Sequence, residues 1–182
     1  MAVTRVATLE DAEELSALQR TNREFLAPWD PQRPEPFFTL EGQRAVLQRS
    51  LDGYAAGAAV PLVILDAGTI VGQLNINGIV RGALQSAALG YWVDAAHNGR
   101  GLATAAVADA VTLAFQGLGL HRLQAETLLH NVGSQHVLRR NGFTAFGIAP
   151  KYLRIAGRWQ DCAMFYLLNP QADEPADGPD RP

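Results

Sequence analysis

The chain predicts an α/β (α+β) fold, a single domain with a mixed, mostly antiparallel sheet of about six to seven strands and about four helices. Three observations carry that prediction. At 182 residues and 48% hydrophobic composition, the chain suits one core that buries about 70% of its unfolded surface. Most strand-like runs are joined by short glycine-containing turns, Asp66-Ala67-Gly68, Arg81-Gly82-Ala83 and Ala156-Gly157, which set neighbours antiparallel. One connection differs. The strand at 84–93 passes through a glycine turn into an alanine-rich helical run at 102–115, and the chain returns as a strand at 121–129, so these two strands are expected to lie parallel. A sheet that changes pairing sense between its central strands can splay there and open a cleft.

In chain order, residues 3–7 read as a first strand. Thr8-Leu9-Glu10-Asp11 approximates a capping box that opens a helix with Leu15 and Leu18 on one face. Residues 21–36 break the pattern: Phe25, Leu26 and Trp29 lie among Pro28, Pro31, Pro34 and Pro36, which favour turns or extended chain over a long helix. This segment is either an apolar lid over the core or one wall of a site. A second helix is expected at 39–57, then a hairpin of 60–65 and 69–80. Asn131 is a good N-cap for a helix ending at Arg140, with Asn141-Gly142 as its C-cap, and 143–155 and 158–168 form a final hairpin. The domain is thus expected to occupy 1–169. Residues 170–182, rich in proline and acid and nearly devoid of apolar side chains, are expected to be a disordered tail.

Composition excludes several function classes. Net charge is −3, and the 14 arginines and single lysine, Lys151, form no basic run, so nucleic acid is not expected as a direct ligand. Neither a membrane-length apolar run nor a charged-then-apolar leader is seen, which points to a cytoplasmic protein. Cys162 is alone and reads as a small core residue. His97, His121, His130 and His136 lack the helical spacing of a zinc pair, and no metal is expected.

The stretch from Leu89 to Thr104 organises the rest. A strand ends near Asp94, and Gly99 and Gly101 precede a helix start, where unpaired N–H groups and the helix dipole favour an anion. A mononucleotide P-loop needs a lysine after its glycines, and the one lysine is far away. A dinucleotide fingerprint needs a glycine where Thr104 stands. The turn is therefore a candidate cradle for another phosphate, or a tight connection with no ligand.

Asn98-Gly99-Arg100-Gly101-Leu102-Ala103 resembles the acetyl-CoA pyrophosphate loop of the GNAT superfamily of N-acetyltransferases: Arg or Gln, two variable residues, Gly, one variable, then Gly or Ala. Asn98 departs from the usual Arg or Gln. The segments at 22–29, 91–94, 131–134, 137–143 and 152–161 are similar to the ribosomal-protein-alanine branch, so the resemblance spans nearly the whole chain to about residue 168. It implies a V-shaped opening beside the strand at 84–93 and acetyl-CoA as co-substrate, held by Tyr91, Trp92, Val93, Asn98, Gly99, Arg100, Gly101, Leu102, Ala103, Thr104, Asn131 and Arg139. It also implies Asn22 and Trp29 in the acceptor wall, and a homodimer.

Acetyl transfer needs a neutral amine. At pH 7, deprotonation costs about 1 kcal/mol for an α-amine and about 4.6 for lysine. A protein N-terminus thus needs only a modest base. Glu126, five positions before Asn131, stands where several N-terminal acetyltransferases of the superfamily carry one, and by alternation it shares a face with Gln124 and Leu128. A solvated strand carboxylate is the plain alternative. The tyrosine acid of many members is replaced here by Leu138, while Ser134 matches the serine of the ribosomal branch and can donate a hydrogen bond to the departing thiolate. Its plain alternative is a helix-start hydroxyl. No nucleophile elbow is found, so direct attack by the amine is expected. The expected function is acetylation of a protein N-terminal amine, with a small amine (antibiotic or polyamine) as the alternative acceptor and a non-catalytic acyl-CoA-binding module as the alternative class.

Overall fold

In the computed structural model, which describes residues 2–172, seven strands form one sheet. They are β1 (Thr4–Val6), β2 (Val60–Asp66), β3 (Thr69–Val80), β4 (Ser86–Val93), β5 (Arg122–Leu128), β6 (Thr144–Ile155) and β7 (Arg158–Leu168). The spatial order is β1-β2-β3-β4-β5-β7-β6, with β4 and β5 parallel and every other neighbouring pair antiparallel. The turn chemistry explains the hairpins. Ala67 and Gly68 both have positive φ, the mirror-image turn that matches strand twist, and Asp66 pairs directly with Thr69.

Period-two alternation gives the sheet two apolar faces. On one, Leu62, Ile64, Leu74, Ile76, Leu89, Leu123 and Ala125 pack with α4 (Leu102–Thr112) and α5 (Val132–Arg140) through Ala106, Val107, Ala110 and Leu138. On the other, Val63 and Ile70 pack with Leu15 of α1 (Ala12–Thr21) and Leu47 of α3 (Leu40–Ala55). Caps set the helix starts. The Asp11 carboxylate accepts from the Thr8 N–H at 2.7 Å, the Thr39 hydroxyl accepts from Gly42 N–H at 3.0 Å, and Asn131 caps α5 through Ser134 N–H at 3.1 Å.

The expected helix count of about four becomes five. The extra one is α2 (Arg23–Leu26), a single turn inside the proline-rich segment. Leu26 N–H bonds to Asn22 C=O at 2.8 Å and its side chain is buried, so one turn forms before Pro28 stops it. The helix expected at 102–115 is α-helical only to Thr112. Leu113–Gly117 is a wider turn, closed by Leu118 N–H on Leu113 C=O at 2.9 Å. Of the tail expected at 170–182, residues 170–172 turn back on Asn169, whose side chain accepts from Gln171 N–H at 3.1 Å, and the remainder lies outside the described residues. No helix among the described residues is long and apolar enough to cross a membrane.

The parallel pairing is short. It runs from Ser86 opposite Arg122 to Leu89 opposite Ala125 and stops, although both strands continue. Beyond that point β4 stays paired with β3 as far as Val93 opposite Gly72, and β5 stays paired with β7 as far as Leu128 opposite Cys162. Each strand follows its outer neighbour, and the sheet parts between them.

Gly72 fixes how closely β3 approaches the far end of β4. A Cβ there would lie 2.2 Å from the Trp92 carbonyl oxygen and 3.0 Å from Val93 Cα, contacts that only backbone movement could relieve. Gly72→Ala is expected to cost about 1–3 kcal/mol, lowering Tm by about 2–10 °C in differential scanning calorimetry. An unchanged Tm would mean that the strands have room to separate.

Candidate active site

The connection after β4 is pinned before it reaches the helix. Asp94 N–H bonds to Val71 C=O at 2.7 Å, and Ala95 N–H bonds to the Asn22 side-chain oxygen at 2.9 Å. His97 Nδ1 lies 2.6 Å from Asp94 Oδ2, and Arg100 Nη1 lies 2.6 Å from Asp66 Oδ2. Burial pushes the Asp94 carboxyl up, but hydrogen bonding from His97, Asn22 and the Ala96 backbone outweighs it and holds the group below the usual carboxylate range. Thus α1, the β2–β3 turn and the segment after β4 all hold this loop.

Gly99 and Gly101 then adopt φ of 76° and 80°, a left-handed conformation that disfavours side chains, and a Cβ at either would meet nothing within 4 Å. Open space therefore lies against the backbone where α4 begins, and Leu102, Ala103 and Thr104 carry first-turn N–H groups without an intrahelical acceptor. This is a cradle fit for an anion.

It forms one end of a cleft of about 600 Å³, within the usual size of a ligand site. Tyr91, Trp92 and Val93 line it from β4. Asn98, Gly99 and Gly101 to Thr104 line it from the turn, and Asn131 to Ser134, Val137 and Arg140 from α5. Phe25, Leu26 and Trp29 close the side formed by α2 and the loop that follows, with Trp29 against the His130 ring at 5.2 Å between centroids. A smaller cavity of about 210 Å³, between α3 and the distal end of β3 at Asn77, is lined by no acid, thiol or imidazole. Among the described residues, no group of three or more His, Cys, Asp or Glu side chains is placed to hold a metal ion.

Most expected site residues therefore converge, and four stand apart from the cleft lining. Arg100 is engaged by Asp66. Arg139 contacts Gln135 at 3.3 Å and lies over the Phe165 ring at 5.5 Å; Arg140, about 100° further round the helix, lines the cleft instead. The spacing Ser134, Val137, Arg140 marks that face in the sequence. Asn22 is buried at 1% exposure, with its amide nitrogen on Leu18 C=O at 2.9 Å and its oxygen on Ala95 N–H, so it braces the wall from behind. Glu126 is half-buried just past the last β4–β5 pair. His97, His130 and Arg140 are lining residues absent from the expected site, whereas Phe25 and Leu26 belong to the segment expected as a lid or a wall.

Glu126 and Thr127 occupy opposite faces of β5 where the sheet parts. Burial raises the Glu126 carboxyl pKa, and Cys162, its neighbour on β7, has its thiol pushed up by burial and by the Glu126 charge. Thr127 Oγ1 is fully buried and, among the described residues, is the one buried side-chain polar atom without a hydrogen-bond partner. On α5, Ser134 Oγ lies 2.9 Å from the Tyr91 hydroxyl, which burial pushes up to about 12, so the phenol stays protonated.

Comparison with known proteins adds kinship. The model of the acetyltransferase (GNAT) domain matches residues 3–144. The probable N-acetyltransferase YjcK of Bacillus subtilis is 37% identical over 172 residues, covering 93% of this chain and 95% of that protein. The [ribosomal protein uS5]-alanine N-acetyltransferase of Escherichia coli is 32% identical, over 92% of this chain and 88% of its own. Among solved structures, Mycobacterium smegmatis RimJ in complex with CoA-disulfide superposes with a TM-score of 0.89 at 29% identity, covering 94% of this chain and 83% of that one.

Burial penalises the charged form of Glu126, so its folded pKa lies above the unfolded value of about 4.3. Its stabilising contribution is complete below that value and is lost as pH rises through the folded pKa. Glu126→Gln is uncharged throughout. It is expected to melt with wild type near pH 4 and above it at pH 8; a lower Tm at pH 8 would reveal a stabilising partner for the carboxylate. Thr127→Val removes the unpaired hydroxyl and is expected to stabilise by about 1 kcal/mol, or about 2–4 °C in Tm. Destabilisation in the same melt would show that the hydroxyl has a partner.

Proposed function

The chain belongs to the GNAT family of acetyltransferases, and from that premise we propose that it moves an acetyl group from acetyl-CoA to the α-amine of a protein N-terminus, of the ribosomal-protein-alanine type. The observation that carries this reading is the parting of β4 from β5, with an anion cradle at α4 on one side and a half-buried carboxylate on the other face. Acetyl-CoA enters with its pyrophosphate on the N–H groups of residues 99–104 and its thioester arm between the strands. Asn98 and Arg140 face the phosphate-bearing half of the cofactor, and Asn131 turns its amide toward the arm while its oxygen caps α5.

The acceptor approaches between Trp29 and the face of β5 that carries Glu126. Its nitrogen attacks the thioester carbonyl carbon, and the C–N bond forms as the C–S bond breaks. Glu126, directly or through a water, takes the proton that the amine loses. A pKa raised by burial brings a carboxylate closer to the working pH, the direction that favours a general base. Ser134 donates a hydrogen bond to the sulfur, which leaves as the thiolate of CoA. The wall of Phe25, Leu26, Trp29 and His130 carries no carboxylate, which favours a peptide terminus over a polycationic small amine.

The test is thiol release from acetyl-CoA with peptides of varied N-termini, polyamines and aminoglycosides as acceptors. Turnover is expected on an Ala- or Ser-starting peptide and is lost when its α-amine is blocked. In Glu126→Gln, kcat/KM is expected to fall by about 10²-fold and to lose its acidic limb. Turnover confined to small amines would overturn the acceptor assignment, and a Glu126→Gln rate within twofold of wild type from pH 6 to 9 would remove the base.

A further inference from the structure

Serine and threonine hydroxyls inside helices ordinarily return their hydrogen to a carbonyl one turn back. This chain does so repeatedly. Ser16 bonds to Glu13 C=O at 2.9 Å, Thr21 to Ala17 at 3.1 Å, Ser50 to Val46 at 3.1 Å and Thr112 to Ala108 at 3.0 Å. Ser134 departs from that habit: among the described residues its Oγ has one partner, the Tyr91 hydroxyl at 2.9 Å. That phenol stands across the cleft on β4, and the Ser134 carbonyl oxygen, 3.2 Å away, is a second acceptor for its hydrogen. Meanwhile Asn131 holds the Ser134 N–H at 3.1 Å, so the backbone is fixed and only the rotation of one hydroxymethyl group remains.

We propose that Tyr91 is a positioning residue for the transfer: its hydroxyl donates to Ser134 Oγ, drawing the serine away from its own helix and leaving the serine hydrogen free for the thiolate of CoA. The inference rests on the proposed role of Ser134 and extends it to a residue expected only to line the cofactor's path. The hydrogen bookkeeping has one solution that serves the reaction. The phenol has a single hydrogen and the serine has one. If the phenol gives its hydrogen to Oγ, the serine hydrogen is available to the sulfur. If instead the serine donates to the phenol, it has nothing to give. A phenol that stays protonated keeps its hydrogen available to Oγ at 2.9 Å, with the Ser134 carbonyl oxygen at 3.2 Å as the competing acceptor. Once C–S cleavage places negative charge on sulfur, the chain Tyr91 to Ser134 to sulfur becomes a run of two aligned donors, each strengthening the next. No proton need leave the tyrosine, and the amine's proton still goes to Glu126.

Tyr91→Phe keeps the ring and removes the donor. Ser134 is then free to turn back onto the carbonyl of His130 or Asn131. The test joins steady-state kinetics of Tyr91→Phe, Ser134→Ala and the double variant with a crystal structure of Tyr91→Phe. Ser134→Ala is expected to lower kcat by about 10²-fold, and Tyr91→Phe by about 10-fold with the KM for acetyl-CoA within twofold of wild type. The double variant is expected to be no slower than Ser134→Ala, because the tyrosine acts only through the serine. Losses that multiply, or a Tyr91→Phe enzyme at wild-type rate, would overturn the inference. Wild-type turnover in Ser134→Ala would remove it together with the serine's role, while leaving the acetyltransferase reading intact. The crystal structure decides without any acceptor: a Ser134 hydroxyl that stays aimed at the cleft when the phenol is gone overturns the inference, and one that swings to the helix carbonyl supports it.

Discussion

Parallel pairing between β4 and β5 ends at Leu89 and Ala125, and the cleft exists because it ends there. Backbone N–H and C=O groups rarely go unpaired in a folded interior. Here each of the two strands continues with one edge satisfied by an antiparallel partner, β3 for β4 and β7 for β5, while its inner edge opens. The sheet thus presents two facing rows of backbone donors and acceptors to whatever lies between them. An amide-bearing chain suits such a slot, since it can pair with both rows as a strand would. The pantetheine arm of the proposed cofactor has that chemistry, and the side chains next to the slot decide what happens at its end.

The two faces of the parted sheet carry different groups. On the α4 and α5 face stand Tyr91, Thr127 and Ser134, together with the helix start that carries the anion cradle. On the α1 and α2 face stands Glu126, with Leu128, Cys162 and Met164 near it and Trp29 beyond. In the proposed reaction the slot is reached from both directions, with one face toward the leaving sulfur and the other toward the attacking nitrogen. Asn22 ties the faces together. Buried at the end of α1, it bonds the loop that leads to the cradle, so the wall of Phe25, Leu26 and Trp29 and the cradle share a brace.

Much of this was legible in the sequence, for local reasons. The hairpin turns, the Asn131 cap and the strand–glycine–helix passage are each set by residues within a few positions, and the change from short turns to a crossover helix foretold the mixed sheet. The cleft lining was legible where backbone conformation sets it, as at Gly99 and Gly101. It was less so where a side chain's direction matters. Arg139 and Arg140 are neighbours in sequence but differ by about 100° on the helix, and only the packing of Leu138 into the core fixes which of them faces the cleft. Asn22 reads as a polar residue before a proline-rich stretch, and nothing local says that Ala95, distant in sequence, needs its oxygen. His97 belongs to the same class, since the Asp94 and Asp66 that flank it come together only when β2, β3 and β4 are assembled. The extra turn α2 and the wide turn after Thr112 depend in the same way on what lies against them.

The position of the cradle is governed by a feature outside it. Helix α4 meets the sheet through Ala106, Val107 and Ala110, and Ala114 follows in the wide turn, all four fully buried. Interaxial and helix-to-sheet distances follow the bulk of the side chains between them, so a contact row made mostly of methyl groups seats this helix low. Its first turn is thereby brought down to the level of the open strands, where its N–H groups and the slot form one continuous surface. Those alanines act as a gauge block: the depth of the cradle relative to the slot is written in side chains that do not line the cleft, and a family member with leucines in their place would hold the same loop at a different height.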